Sequence, residues 1–485
     1  MKNSDRNIPH PIVSLIPVAT LIALLAGCIY MFGSDSLEGG SQLALLFSTA
    51  ICIAISTLCY HTPWSAFERQ ISQTLGNISV TLYILLAVGM VSGSWMISGV
   101  VPTIIYYGVQ IVSPQFFLIS ACIVCAVVSL LSGSSWTTIA TIGVALLGIG
   151  NALGISSALT AGAIISGAYF GDKMSPLSDT TILASSVTGT DLFEHIRYMT
   201  YTTVPTFSIT LIIFFAIGLW HEPSSALHIT EYTEGLSRTF NISLLTLLVP
   251  LLTGILIYRR TASFITLFLS AIIAGTIAVI LQPHILSEIA GEPASGNEPL
   301  TLARGLAITY YGSTSVDTGI PSLNELVSTG GMAGMLNTIW LILCAMFFGS
   351  CMVASRMIAS ITHIILRMAN STLSLVSSTV GSCLFLNLST GDQFISIVLA
   401  ADMYKESYKR NGYESRLLSR TTEDAATVTS VLIPWNTCGM TQSTVLGVPT
   451  LTYLPYCFFN LLSPLMTILI AAIGWKIRRH PSNIN

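Results

Sequence analysis

The sequence predicts an all-α polytopic membrane protein built from two inverted repeats of five spans each. Composition is the first observation behind this: of 485 residues, 52% are hydrophobic and only 8% charged, with a mean hydropathy of +0.75. Soluble domains carry about 25% charged residues, so this chain cannot cover itself with a water-facing surface. Second, apolar runs of roughly 20 residues recur along the chain, each long enough to cross a bilayer as a helix. Third, the sequence repeats itself at an offset of 258 residues.

The elements follow in order. Lys2 and Arg6 precede an apolar run that passes Leu25-Ala26-Gly27-Cys28 and continues to Phe32, which reads as a retained first helix and not a cleaved signal. Hydropathy places spans near 11–32, 42–60, 78–99, 199–220, 240–258, 262–281, 334–356 and 450–474. Segments 63–75 and 320–332 read as short interfacial helices. Four further segments are apolar but interrupted: 115–150, 156–188, 370–404 and 415–447. The offset carries Gly76 to Gly334, Gly133 to Gly391, Gly154 to Gly412, Pro176 to Pro434 and Gly189 to Gly447, with no gap. Residues 1–220 therefore form the first repeat, with a re-entrant hairpin at 115–150 and a broken helix at 156–188. Residues 240–485 form the second, with a hairpin at 370–404 and a broken helix at 415–447. The total is about ten full spans, two re-entrant hairpins and two broken helices.

Charge sets the orientation, because Lys and Arg accumulate in cytoplasmic loops. Between Arg69 and Asp172 there is no charged residue, whereas Arg356 and Arg367 precede the second hairpin and Lys405, Lys409 and Arg410 follow it. The second hairpin should start and end in the cytoplasm, and the first outside. Asp35, Glu38, Glu222, Glu231, Glu234, Glu288, Glu292 and Glu298 then fall outside, and Arg69, Arg259, Arg260, Lys476, Arg478 and Arg479 inside. Both termini are cytoplasmic, and an odd number of spans per repeat makes the repeats inverted.

Several function classes drop out. No basic tract points to nucleic acid, and no G-x-x-x-x-G-K-[ST] loop is present to bind ATP. Neither an HExxH motif nor a nucleophile–base set suggests an enzyme. Cys122 and Cys125 lack a second pair at zinc spacing, and the cysteines read as small hydrophobes within helices. A channel would need a continuous pore, usually shared between subunits; paired hairpins within one chain fit alternating access better.

What remains is the chemistry of the breaks. In hydrocarbon, unwound backbone survives only where it is buried in protein or lines a cavity, and inverted repeats with broken helices recur in secondary transporters. The hairpin tips at 132–137 and 389–392 and the unwound stretches at 172–181 and 434–439 should converge on one site. Ser132, Ser134, Ser135, Thr137, Ser178 and Thr180 offer hydroxyl oxygens that suit a hard cation such as Na⁺. Asn387, Ser389, Thr390, Asn436 and Thr437 add oxygens from the second half. Any one of these hydroxyls can equally bond helix to helix. Asp179 follows Pro176 deep within an apolar span, where ionisable residues are functional by default. A carboxylate in low dielectric favours its protonated form and a bound cation favours the ionised one, so H⁺ and Na⁺ compete at a single group. Asp172, Asp392, Glu423 and Asp424 are further proton-coupling candidates. Glu423 and Asp424 form either a relay or access funnel, or pairs with Arg420 and Arg416. Lys173 is either a salt-bridge partner released on ion binding or half of a structural ion pair with Asp172. Of the two unwound stretches, only the first keeps a carboxylate at the position of Asp179; the second has Thr437 there.

The run Ser166-Gly167-Ala168-Tyr169-Phe170-Gly171-Asp172-Lys173-Met174-Ser175-Pro176-Leu177-Ser178-Asp179-Thr180-Thr181 resembles the signature of the NhaC-type Na⁺/H⁺ antiporters. Pro434-Trp435-Asn436-Thr437-Cys438-Gly439 and the hairpin Ser132-Gly133-Ser134-Ser135-Trp136-Thr137 resemble that family too. Ile182 departs from the more usual Asn and removes one potential ligand. The resemblance implies a bacterial inner-membrane exchanger of Na⁺ and H⁺, often a homodimer, with no cofactor and the lipid bilayer as its surroundings. It leaves open a Na⁺- and H⁺-coupled exchanger of malate and lactate, or of an amino acid.

Overall fold

A computed structural model describes residues 9–32, 39–220, 226–291, 299–367 and 371–477. Asp35, Glu38, Glu222, Glu292, Glu298, Arg478, Arg479 and the two chain ends, on which part of the expected orientation rests, lie outside the described residues. Between turns and short loops, the regular structure of the described residues is helical, apart from one isolated bridge between Thr314 and Thr329. Nine of their helices are long and apolar enough to cross a membrane, or eleven if each of two bent pairs counts as one span. The fold is an all-α polytopic membrane protein.

Helix boundaries of the hairpins and broken helices repeat at the 258-residue offset. The hairpin arm Pro114–Ser132 falls on Thr372–Thr390, and the short helix Asp179–Thr188 falls on Thr437–Leu446. Gly133 and Gly391, each following its hairpin arm, both have φ of 68°. Glycine at these corners adopts the left-handed conformation that other residues reach only with strain. The two hairpins and broken helices thus share one backbone plan. Differences within it include a π-helical turn at Ile139–Gly143 in the first hairpin, another at Glu423–Thr427 in the second broken helix, and a 3-10 turn at Ser430–Leu432.

The first hairpin arm packs along Ser157–Met174 at backbone distance. A Cβ on Gly167 would collide with the Cys122 carbonyl, and one on Gly171 would lie 2.6 Å from the Leu130 amide nitrogen. Small residues let membrane helices approach this closely, where packing and not the hydrophobic effect drives association. Ser129 bonds across this contact to the Ala168 carbonyl (2.6 Å), and at the matching place Asn387 bonds to the Ala426 carbonyl (2.7 Å).

Several elements differ from the sequence reading. Residues 63–75 are not a separate interfacial helix but the first turns of Trp64–Ile97. A lone Gly76 costs about 1 kcal/mol in a helix and removes no hydrogen bond, so the ladder runs on. Segment 320–332 is helical only over Pro321–Val327, after which Thr329 pairs with Thr314. A helix over Val100–Ile111 was hidden by its length, 12 residues, too short for a span. The span at 240–258 reduces to Leu244–Tyr258, turned by 89° from the helix before it, and the last span bends by 58° between Tyr456 and Phe458. The second hairpin runs on to Arg410.

Candidate functional site

Pro176 stops the helix Ser157–Met174, because it has no N–H to donate and its ring restricts the residue before it to extended backbone. Ser175 is accordingly extended, and the chain re-enters a helix at Asp179 with Ser178 as N-cap. This break faces the first hairpin tip. Asp172 is buried, and its Oδ2 accepts two hydrogen bonds from Ser135, one from the amide (3.0 Å) and one from the hydroxyl (2.6 Å). A carboxylate on the first amides of the returning helix satisfies donors that have no partner within the helix. Ser134 caps the same helix, accepting from the Thr137 amide (3.2 Å) and hydroxyl (3.1 Å), while Ser132 bonds within the tip to Ser134 and Thr138.

Two cavities meet here. A small one, of about 80 Å³, is lined by Ser134, Asp172, Ser178, Asp179 and Thr180, and closed by Gln393 and Phe394 from the second hairpin. A wider vestibule of about 320 Å³ is lined by Ser132, Thr137, Asp179 and Arg260. Asp179 belongs to both and is exposed. The sequence reading placed it deep in an apolar span; the break instead turns it out into the vestibule wall, with no side-chain hydrogen bond among the described residues. Ile182, one turn on, is also exposed, at 41%.

Behind the small cavity the hydroxyls lead inward. Ser178 lies 3.0 Å from Thr180, and the Thr180 hydroxyl donates to Glu423 Oε1 (3.1 Å). Glu423 opens the π-helical turn of the second half, and the extra residue in such a turn sets it beside Asp424 without ending the helix. Asp424 forms a fully buried ion pair with Lys173, which also donates to Ser463 (3.2 Å). The Thr202 hydroxyl donates to Asp424 as well (3.2 Å). The Nε of Arg420, also fully buried, stands 3.9 Å from Asp424 Oδ2, with its guanidinium over the Tyr198 ring at 4.6 Å. Lys173 is therefore paired with Asp424, not with Asp172. Arg416 pairs instead with Glu194 (2.9 Å) and Glu414 near the surface.

The second half's candidates gather elsewhere. Asp392 caps its hairpin helix through the Ile395 amide (2.9 Å) and accepts from Thr437 (3.3 Å). The carboxylate has exchanged places with the hydroxyl: tip and break carry Ser134 and Asp179 in the first half, Asp392 and Thr437 in the second. So the second half does hold a carboxylate at its break, supplied by the tip. Asn387 bonds to Thr429 (3.0 Å), and Asn436 to the Asn387 carbonyl (3.3 Å) and, as a cap, to the Cys438 amide (3.1 Å). Thr390 bonds within its own hairpin to Leu386, and the Ser389 hydroxyl is buried without a hydrogen-bond partner among the described residues. None of these five, Asn387, Ser389, Thr390, Asn436 and Thr437, lines the cavity that holds Asp179. The expected single convergence is divided between a cavity at the first break and a closed polar core at the second.

Sequence reasoning missed His195, Tyr198 and Thr202, which one face of the helix Leu192–Trp220 brings to the charged cluster. Their spacing of three and four is the available signal. Of the two readings of Glu423 and Asp424, a relay or funnel and a pairing with Arg420 and Arg416, the i,i+4 spacing of Arg420 and Asp424 marks the contact found at 3.9 Å.

Fold and site together define a polytopic membrane protein whose charged groups sit at its helix breaks. The chain belongs to the Na⁺/H⁺ antiporter family, whose profile matches residues 167–475. It is 39% identical to the Na⁺/H⁺ antiporter NhaC of Alkalihalophilus pseudofirmus, over 87% of this chain and 88% of that one. It is 32% identical to the arginine/ornithine antiporter ArcD of Halobacterium salinarum, over 96% and 92%. With the malate-2H⁺/Na⁺-lactate antiporter of Bacillus subtilis it shares 31% identity, over 89% of each.

Proposed function

We propose that the protein exchanges Na⁺ for H⁺ across the bacterial cytoplasmic membrane by alternating access between two inverted repeats. The observation that carries this is the 80 Å³ cavity in which Asp172 and Asp179 meet the hydroxyls of Ser134, Ser178 and Thr180. It has room for a few water-sized particles, which suits a partly hydrated cation. Asp179 takes the ion from the vestibule and exchanges it for a proton. Asp172 transmits occupancy to the hairpin through Ser135, and Glu423 transmits it to the second half through Thr180. Arg260 lines the vestibule, and the positive-inside bias turns that mouth, and with it both chain ends, toward the cytoplasm.

Exchange of an organic acid or amino acid is the second reading. The names of two relatives motivate it, and the buried Lys173 and Arg420 supply cations for a carboxylate. Proteoliposomes containing a pH-sensitive dye separate the two. Addition of Na⁺ alone should move protons in wild-type vesicles and not in Asp179→Asn. Proton movement that appears only with malate, lactate, arginine or ornithine would replace the first reading with the second. Normal Na⁺ flux in Asp179→Asn would remove that residue from the site.

A further inference from the structure

Asp424 has two cations within reach and uses one. Its Oδ1 is bound to Lys173, while its Oδ2 is buried and has no hydrogen-bond partner among the described residues. Arg420, fully buried, has no hydrogen-bond partner for Nε, Nη1 or Nη2 among the described residues, and Nε is the atom 3.9 Å from that oxygen. Moving about 1 Å would turn this separation into a hydrogen bond of ordinary length. A guanidinium held in the protein interior with every donor unsatisfied is costly to maintain. One beside a carboxylate already engaged by another cation needs a reason to be there.

The neighbouring groups supply one. Lys173 follows Asp172, the residue clasped by the hairpin tip, and the Lys173 carbonyl accepts from Thr181 across the break (3.1 Å). A change in the cavity that displaces the break therefore displaces Lys173. Glu423, next to Asp424 in the π-helical turn, keeps Oε2 buried and unpartnered and lies within electrostatic reach of Lys173. If Lys173 left and Arg420 stayed where it is, Asp424 would be a buried carboxylate with no cation at hydrogen-bond distance, which is strongly destabilising. That would block any cycle requiring the move.

We propose that Arg420 is a positioning residue, the standing counter-charge of Asp424. When Lys173 turns from Asp424 to Glu423, Arg420 closes on Asp424, so that neither carboxylate is stranded. The titratable groups facing Arg420 are Tyr198 from the helix Leu192–Trp220, Tyr408 from Gln393–Arg410, and Arg416 and Asp424 from its own helix. His195 bonds to the adjacent Ser419 (2.7 Å). Of these, only Asp424 combines a negative charge with an oxygen aimed at Arg420.

The proposal rests on Na⁺/H⁺ exchange being the activity, and one experiment separates the two. Na⁺-driven proton flux is followed against pH and Na⁺ concentration in vesicles holding wild type, R420Q and R420K, each checked for a single sharp size-exclusion peak. In R420Q the maximal rate should fall about tenfold or more, with half-saturating Na⁺ within about twofold of wild type. Its pH profile should move upward by about one unit, because removing a cation favours protonated carboxylates nearby. R420K, which keeps the charge, should hold the profile of wild type and recover most of the rate. Folded R420Q with the rate and profile of wild type overturns the proposal. If R420Q does not assemble, folded R420K decides alone: retained rate and profile support it, and complete loss overturns it. Wild-type vesicles that move no protons on Na⁺ addition refute the exchange reading itself, and this proposal with it.

Discussion

Removing the two partners of the buried ion pair should have unequal costs. Asp424→Asn leaves Lys173 and Arg420 as two cations in a site where both are fully buried. Breaking a buried pair in this way costs about 3–5 kcal/mol. Lys173→Met, in contrast, leaves Asp424 with Arg420 at 3.9 Å, and Met fills most of the volume of the lysine stem. At that separation and an effective dielectric near 20, an attraction of about 4 kcal/mol survives. Lys173→Met should therefore cost less than half of what Asp424→Asn costs. The assay is the apparent melting temperature of detergent-purified protein, compared at one heating rate because membrane proteins of this size rarely unfold reversibly. The expected order is wild type, then Lys173→Met close below it, then Asp424→Asn well below both. Equal melting of the two variants would show that Arg420 does not stand in for Lys173, and a more stable Asp424→Asn would reverse the assignment of roles altogether.

The other predictions concern the first break. Asp179→Asn, at an exposed position without a hydrogen bond, should melt within about 0.5 kcal/mol of wild type while losing Na⁺-driven flux, so the two readouts must separate. Ser135→Ala deletes the hydroxyl that binds Asp172 at 2.6 Å but keeps the amide. Loss of a bond to a charged group costs about 1.5–3 kcal/mol, and Ser135→Thr should restore the melting temperature. Gly171→Val places side-chain atoms against the backbone of the hairpin arm at Ala126 and Leu130. Overpacking of this kind costs about 1–3 kcal/mol or more, and the yield of monodisperse protein should fall sharply, whereas the same change at Gly189, whose Cβ would meet nothing within 4 Å, tests backbone strain alone.

Class and element order were legible because they rest on signals read from sequence alone: apolar length, and glycines and prolines in one register. Pro176 marked the first break correctly, since a missing N–H ends a helix whatever surrounds it. Exposure at the break was not legible. Hydropathy averages over a window and cannot tell that unwinding at Pro176 turns Asp179 into a vestibule while Asp172 stays under the hairpin. Partnership was also hidden. Lys173 neighbours Asp172 in sequence, yet pairs with Asp424, 251 residues away, because on a helix adjacent residues point in different directions. The same rule explains Arg420: its i,i+4 relation to Asp424 was visible, but its burial follows from Tyr198 on another helix.

The exchange of Ser134 and Asp179 for Asp392 and Thr437 bears on how such a chain can be rebuilt. Hairpins and broken helices with matching boundaries invite shuffling, for example in a chimera that carries the first hairpin and first broken helix twice. It would carry a vestibule carboxylate at each break and a serine at each tip, and would lose the Glu423–Asp424 turn along with Arg420. The smallest engineering unit of this protein is therefore a hairpin tip together with the break of its own half. A transplant that respects function must move Ser134 with Asp179, and Asp392 with Thr437.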